Sequence, residues 1–418
     1  MQVNRIVNSS EAVFLCSLSH FMLKNERILL FILAAINFTN IVDFMVMMPL
    51  ETYLTTLYGI SHFQFTVLVA CYTLSAGISG YAATLFVDRF DRKTSLQIIF
   101  IGFIIGTLLC GVAQGYYLLL AARIVTGVFG GVLGSVVMSI AADVIPMERR
   151  GMAMGIITTG FSMASIAGVP LGLYLATLTD WHAPFLFLVL VGLIIMPFIW
   201  KFVPQVNEHI QTKEDRPGFS TILKEILIER NHLKALILMV SLMLGHFCIV
   251  PTYARHMEAN VGFTKDQVTL IYFVGGLFTF FTSPIVGRMA DKYGKKKIFS
   301  VFVVLCAVPV LIITHMGRAP LIPALVVTTM FFVFSAGRFI PAQALVTGAV
   351  NPKIRGGFMS FSSASQQVAA GIASLISGLI VTENTDGTLG NYNYIGYVSV
   401  IITMSLLFMV PRLVIRET

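Results

Sequence analysis

Asp88-Arg-Phe-Asp-Arg-Lys93 and Asp291-Lys-Tyr-Gly-Lys-Lys-Lys297 are two versions of one charged phrase, 203 residues apart in a chain of 418. Each follows two long apolar stretches and precedes four more. A second pair repeats at nearly the same spacing. Pro146-Met-Glu-Arg-Arg-Gly-Met-Ala-Met-Gly155 corresponds to Pro352-Lys-Ile-Arg-Gly-Gly-Phe-Met-Ser360 at an offset of 205. Two independent matches at nearly one offset indicate a duplicated six-span unit. Parallel repeats of this kind are related by an axis along the membrane normal, with a binding site between them near the midplane.

Composition agrees. Of the residues, 56% are apolar and 11% charged, with a mean hydropathy of +0.85; covering a soluble surface takes roughly 25% charged residues. The apolar blocks run about 19–26 residues, enough at 1.5 Å per residue to cross a hydrocarbon core of about 30 Å. Twelve are expected, at about 28–50, 63–87, 95–113, 117–141, 152–176, 183–203, 233–254, 267–289, 297–316, 320–345, 357–381 and 393–414. In lipid the backbone must satisfy itself, and blocks this long and unalternating are helices. The expected fold is an all-α polytopic membrane protein, with twelve transmembrane helices in two six-helix pseudo-symmetric bundles. The division runs as an N-terminal extension (1–27), a first bundle (28–203), a connector (204–232), a second bundle (233–414) and a tail (415–418). The connector is rich in Glu, Lys, Asp and Arg, and a surface helix is expected near 219–231.

The net charge of +8 orients the protein; it does not point to nucleic acid. With both termini on one side, that side collects 23 of the 28 Lys and Arg, and the opposite loops hold Arg255, Lys265 and Arg318. Basic residues accumulate in cytoplasmic loops, so both termini are expected in the cytoplasm of a bacterial inner membrane. The cysteines Cys16, Cys71, Cys110, Cys248 and Cys306 show no metal-ligand spacing and read as small hydrophobes. Residues 12–23 are too short to span and lack a cleavage site, so Met22 is an alternative start within a dispensable extension.

These residues resemble the major facilitator superfamily over about 27–414. The resemblance is carried by the loop after span 2, by its fuller copy Gly287-Arg-Met-Ala-Asp-Lys-Tyr-Gly-Lys-Lys-Lys297, and by Arg123-Ile-Val-Thr-Gly127 in span 4. Asp43-Phe-Met-Val-Met-Met-Pro-Leu50 and Ala167-Gly-Val-Pro-Leu-Gly172 make it most similar to the twelve-span drug:proton antiporter and sugar-efflux branch. The resemblance implies that the repeated loop is a latch governing the rocking of the halves, with Asp88, Arg89, Arg92, Asp143, Gly287, Asp291 and Gly294 as its parts. Gly287 would admit a close neighbour, Gly294 would take a left-handed turn, and Asp291 would accept from facing basic groups. The first copy departs from the pattern: Thr84 and Asp91 stand where the glycines stand in the second. The alternative is that these charges only anchor helix ends.

Three ionised groups fall well inside the spans: Asp43, Arg123 and Arg338. Each costs at least about 2.5–3.5 kcal/mol near mid-bilayer and needs a partner or a wet cavity. Asp43 and Arg123 lie at matched depth, about 10 Å and about 9 Å from the far side at the helical rise, and the resemblance implies that this arginine packs near span 1. Such an acid either exchanges a proton or holds a static pair. His246 in span 7 has a side chain suited to proton handling, or is a packing residue. Arg338 either meets an anionic substrate or a helix C-terminus. Asn37, Asn40, Gln366 and Gln367 are candidates for a substrate cavity or for interhelical glue. Span 5 carries Gly160, Gly168, Pro170 and Gly172, which allow close approach and a bend. In the resembled branch such a span accompanies export, although Val169 stands where a glycine is expected.

There is no phosphate-cradling loop, metal cluster or nucleophile–base pair in the sequence. No enzyme chemistry and no cofactor is implied. The reading is a secondary transporter, a proton-coupled exporter of a small organic molecule, working as a monomer in the lipid bilayer with the substrate and protons as its partners. An importer or facilitator of sugars or metabolites is the alternative on the same scaffold; a membrane sensor or scaffold is the alternative of a different class.

Overall fold

The computed structural model describes residues 24–86, 90–205, 219–351 and 354–415. The N-terminal segment with Met22, and Asp88 and Arg89 of the first loop copy, lie outside them. Among the described residues there are twelve long helical spans. Eleven are apolar and long enough to cross a membrane by length and composition. The remaining one, span 11 (Arg355–Ile380), carries Ser360, Ser362, Ser363, Ser365, Gln366 and Gln367. Its polarity fits its place, because it lies along span 2 (His62–Phe86) and not against lipid alone. Gly371 faces Thr73 and Leu74, Gly77 faces Val368 and Ala364, and Gly378 faces Thr66 and Phe63. Small residues let two backbones approach where lipid supplies no hydrophobic drive.

Spans 1 and 7 run further than their apolar blocks. Span 1 (Lys24–Val46) continues through a short turn at Met48–Leu50 into Glu51–Tyr58. Span 7 (Arg230–Phe247) breaks at Cys248 and continues as Val250–Ala259. Pro49 and Pro251 stand at these breaks, where a missing N–H costs least at the start of a helix. Both extensions are polar on one face, which is why hydropathy ends the spans early. The connector helix is Phe219–Ile228.

Span 5 has an internal irregularity. Between Met147–Met163 and Val169–Leu178, residues Ala164–Gly168 form a π turn just ahead of Pro170. Proline cannot donate to the carbonyl four residues back and its ring crowds it, and a wider turn relieves both. Gly168 and Gly172 receive the side chains of Val42 and Val46 from span 1, and Gly160 lies against Phe38 and Asn37. The outer face of the π turn meets the other half: at Gly276 of span 8 (Lys265–Tyr293) an added Cβ would lie 2.9 Å from the Ser165 Cβ and 3.0 Å from the Ile166 N.

The apolar cores show how the halves meet. On the far side, opposite both termini, one core joins Met47, Leu50, Leu54 and Phe65 of the first half to Phe247, Ile249, Tyr253 and Met257 of the second. Toward the termini there are two cores. One holds Leu30, Leu33, Phe100, Val136 and Ile199; the other holds Leu238, Leu242, Phe299, Leu345 and Phe358, and among the described residues only Tyr81 reaches it from the first half. The bundles share a core on the far side and keep separate cores toward the termini, where spans 2 and 11 still meet through Tyr81, 2.7 Å from Ser365 Oγ and in ring contact with Phe361.

Gly276→Ala is expected to lower stability by about 1–3 kcal/mol through overpacking of the span 5–span 8 contact. Gly287→Ala in the same helix, where an added Cβ meets nothing within 4 Å, is expected to be neutral or to gain up to about 1 kcal/mol of helix propensity. Thermal unfolding of the two purified variants in one detergent measures the contrast.

Candidate functional site

The first-half site is built on close helix approach. Gly106 of span 3 (Arg92–Gly111) accommodates Thr126 of span 4 (Tyr116–Val144), and Gly127 lies against Ser75 and the Tyr72 carbonyl of span 2. That packing brings Arg123 to Asp43. Arg123 Nη1 lies 2.9 Å from Asp43 Oδ2, and both side chains are fully buried. The same nitrogen is 3.4 Å from the Asp43 carbonyl. Thr107 Oγ1 donates to Asp43 Oδ1 at 3.2 Å. The guanidinium carbon stands 4.3 Å from the Tyr72 ring centroid, a cation–π contact. Tyr72 OH donates to Asn40 Oδ1 at 3.1 Å, and Asn40 Nδ2 donates to the Gly130 carbonyl at 3.2 Å. Charge, ring and amide therefore form one connected set over four spans. Tyr72 and Thr107 give no sequence signal: one aromatic and one hydroxyl among many say nothing until the helices are placed.

His246 is not part of that set. Its Nδ1 is 3.4 Å from Ser335 Oγ in span 10 (Leu321–Ala349), and Arg338 Nη2 donates to the same hydroxyl at 3.4 Å. Phe247, Phe331 and Phe339 surround the imidazole, with ring centroids 5.6, 6.1 and 5.6 Å away. His246 and the Asp43–Arg123 pair are thus separate sets: spans 1 and 7 face each other, but each of these polar groups bonds within its own half. Between the two sets stand Phe44 and Phe247, with centroids 5.7 Å apart, and Phe44 stacks on Tyr72 at 5.2 Å.

The amides divide. Asn37 Nδ2 donates to the Ile157 carbonyl of span 5 at 3.0 Å, and Asn40 is bonded as above, so both act as ties between helices of the first half. Gln366 Nε2 donates within its own helix, to the Ser362 carbonyl at 3.2 Å. Gln366 and Gln367 are half-buried on the span that lies against span 2.

Above these sets, the far side is sealed by polar contacts that sequence reading did not single out. His62 Nδ1 and Glu51 Oε1 lie 2.6 Å apart, both buried. His62 Nε2 is 3.4 Å from Thr252 Oγ1 of span 7, which is 3.1 Å from Ser377 Oγ of span 11. Arg255 donates to Thr55 Oγ1 across the halves at 3.1 Å and pairs with Glu383 at 2.8 Å. Lys265 Nζ sits 3.2 Å from the Tyr53 ring centroid. A two-stranded ladder, Thr382 with Gly390 and Glu383 with Leu389, carries Glu383 and is pinned by Asn260, which bonds both polar groups of Leu389 at 2.8 and 2.9 Å. Glu51 and His62 lie at block ends, where charges are ordinary interface flanks, so their pairing is invisible in one sequence.

The repeated loop behaves differently on the terminal side. Arg92 Nε pairs with Asp143 Oδ2 at 3.0 Å inside the first half. Lys93 Nζ donates to the Trp200 carbonyl at the end of span 6 at 2.8 Å, and Lys296 Nζ donates to the Pro411 carbonyl at the end of span 12 at 3.1 Å. Both copies thus anchor the last helix of their own bundle through the same lysine position, a favourable use of a cation at a helix C-terminus. The turns are made by different means. Gly294 has φ +95°, which suits glycine. Asp91 has φ −54° and caps span 3, its carboxylate accepting from the Thr94 N–H at 2.9 Å. The close-approach reading of Gly287 is corrected, since its surroundings are open in this conformation. Asp291 is exposed and has no ion pair with any described residue.

Asp43→Ala leaves a buried guanidinium uncompensated and is expected to cost about 3–5 kcal/mol. Adding Arg123→Met should return a large part of that loss, read from a double-mutant cycle of thermal unfolding. On the far side, Arg255→Ala removes the Thr55 and Glu383 contacts together. The rate at which a membrane-impermeant thiol reagent reaches a cysteine placed at Leu54 should rise severalfold; an unchanged rate would show that Arg255 does not hold the seal.

Comparison with known proteins places these features in a family. A sequence profile of the Major Facilitator Superfamily matches residues 30–243 and 235–418. An uncharacterised transporter of that type from Bacillus subtilis (strain 168), YtbD, is 27% identical over 299 residues, covering 68% of this chain and 73% of its own. A probable sugar efflux transporter of Helicobacter pylori (strain P12) is 26% identical over 242 residues, 57% of this chain and 60% of its own. The crystal structure of a D-xylose–proton symporter superposes with a TM-score of 0.75 at 16% identity, over 93% of this chain and 97% of that one; at that identity the likeness shows the fold. A duplicated six-span unit, eleven apolar spans with a more polar twelfth, and a family profile matching both halves agree: the chain is an integral membrane transporter of the major facilitator superfamily.

Proposed function

We propose that the protein exports a small organic molecule in exchange for protons, by alternating access about the interface between the halves. The observation that carries this reading is the Asp43–Arg123 pair. A fully buried carboxylate, 2.9 Å from a guanidinium and next in sequence to Phe44 at the interface, is a group that a proton can discharge only when a path to water opens. Protonation removes the attraction that ties span 1 to span 4, so the favoured arrangement of the interface differs between the two charge states. A ligand or proton shifts a conformational equilibrium only through such differential binding. The relative named for sugar efflux and the Gly/Pro-rich span 5 support the direction. Import or facilitated passage on the same scaffold is the alternative.

In this reading both termini are cytoplasmic, the terminal side is the open one, and the chain works as a monomer with the division at 204–232. The loop residues Asp88, Arg89, Arg92, Asp143, Gly287, Asp291 and Gly294 form the cytoplasmic latch, and the exposed Asp291 is its released state. Arg338, Gln366 and Gln367 of the second half are the candidates for contact with substrate, and His246, beside Ser335, is a candidate for proton handling.

Reconstituted protein supplies the test. Counterflow of a candidate compound in proteoliposomes separates transport from sensing, and an imposed pH gradient separates coupling from facilitation. Asp43→Asn is expected to retain counterflow and lose the response to the gradient. Proton-driven accumulation that persists in Asp43→Asn would overturn coupling at this residue, and uptake in the direction of the proton gradient would replace export by import.

A further inference from the structure

The two copies of the bundle correspond at offsets that drift along the chain, from 202 at the prolines of spans 1 and 7 to 205 at spans 4 and 10. At the offset of the repeated loop, 203, Asp43 falls on His246 and Phe44 falls on Phe247. The phenylalanines have kept their place and meet at 5.7 Å. The position beside them has changed from an acid to an imidazole. Each half nevertheless contains a buried arginine: Arg123 is 0% exposed and Arg338 1% exposed. Span 4 and span 10 correspond at an offset of 205, which puts Arg123 on Thr328 and not on Arg338. At the same offset Arg338 falls on Leu133, so neither arginine has a counterpart in the other half.

The electrostatic situation of Arg338 is unlike that of Arg123. Arg123 has Asp43. Among the described residues no carboxylate lies within ion-pair distance of Arg338; it donates to Ser335 Oγ at 3.4 Å. Its buried Nε has no hydrogen-bond partner, which is also true of Nε and Nη2 of Arg123, so the missing carboxylate is what sets the two apart. The Phe339 ring, with its centroid 5.8 Å from the guanidinium carbon, supplies a cation–π contribution of about 0.5–2 kcal/mol. That is less than the cost of about 2.5–3.5 kcal/mol for an arginine at the centre of a span on the gentlest scale. Arg338 is the eighteenth of 29 residues in span 10, close to its middle. A fixed positive charge therefore stands uncompensated near the midplane. It shares Ser335 with His246, which is half-buried, as is Phe339.

We infer that Arg338 anchors a carboxylate on the transported molecule, with the rings of Phe247, Phe331 and Phe339 around His246 receiving its apolar body. The planar guanidinium matches a carboxylate in two parallel hydrogen bonds, and its unsatisfied Nε is one of the donors such a fork uses. The ligand's charge closes the balance that the protein leaves open, just as Asp43 closes it in the other half. Ser335 holds the guanidinium in register from one turn away. The inference rests on the transporter reading above and narrows its substrate to small organic acids with an apolar body.

The test uses full-length purified protein and a matched trio: phenylacetate, its neutral amide phenylacetamide, and acetate. Phenylacetate is expected to raise the unfolding temperature in a saturable way, phenylacetamide to bind at least tenfold more weakly because it lacks the charge, and acetate at least tenfold more weakly because it lacks the ring. Arg338→Gln should remove the preference for the acid, and Arg338→Lys should restore part of it. Equal stabilisation by acid and amide, no stabilisation by phenylacetate, or a preference that survives in Arg338→Gln would each overturn the inference. The comparison of acid with amide needs only the wild-type chain, so it decides even if a variant does not fold. Binding is read here without any gradient, so loss of proton-driven export with the acid preference intact would count against the transport mechanism and leave the carboxylate site standing.

Discussion

A charge in a membrane interior is costly without a partner, and that constraint organises the first half of this protein. Asp43 and Arg123 neutralise one another only because spans 1, 3 and 4 come close enough for a 2.9 Å contact. The approach depends on residues with almost no side chain, Gly106 and Gly127, and on Thr126 and Ser75 filling the space they leave. Around the pair, Tyr72 offers its ring to the guanidinium and its hydroxyl to Asn40. The polar groups of four helices are thereby committed to one another, and apolar side chains complete the surroundings. Removing the acid would disturb all of them together, which is the expected behaviour of a connected low-dielectric network.

The second organising feature is the inequality of the two ends. On the far side the halves share one core and are tied by Thr252, Arg255 and Lys265 to groups of the opposite bundle. On the terminal side each bundle keeps its own core, and the ion pairs among the described residues stay within one half. Rocking the halves would exchange these conditions. The polar far-side ties lie at helix extensions and sit on the shared apolar core, whereas each core toward the termini belongs almost wholly to one bundle. The π turn of span 5 against Gly276 supplies a narrow, smooth bearing between them.

The duplication, the span count and the membrane class were legible because they depend on composition and repetition, which survive without any knowledge of contacts. Asp43 and Arg123 stood out because ions are rare in apolar blocks. What the sequence did not carry was pairing. Glu51 and His62 look like ordinary flanks until span 1 is seen to continue past Pro49. His246 names no partner until its ring is seen beside Ser335. Gly287 looked like a packing glycine because its copy position invites that reading, yet its surroundings are open. The polarity of span 11 hid its nature in the other direction: Ser and Gln lowered its hydropathy although it runs the length of span 2. In each case the missing information is which face of a helix meets which neighbour, and that is undetermined when nearly every face is apolar.

The unlike residues at one matched position bear on how such a chain can be assembled. Two free copies of the first bundle would form a symmetric dimer with both arginines neutralised and no charge left over. Two copies of the second would bury a pair of uncompensated guanidiniums near a common axis and repel one another. Only the mixed pairing holds a single unmatched charge on one flank of the interface. A symmetric dimer cannot encode that difference, because any substitution in one subunit appears in both. Two halves on one chain are free of that restriction, and Asp43 and His246 can differ at one matched position.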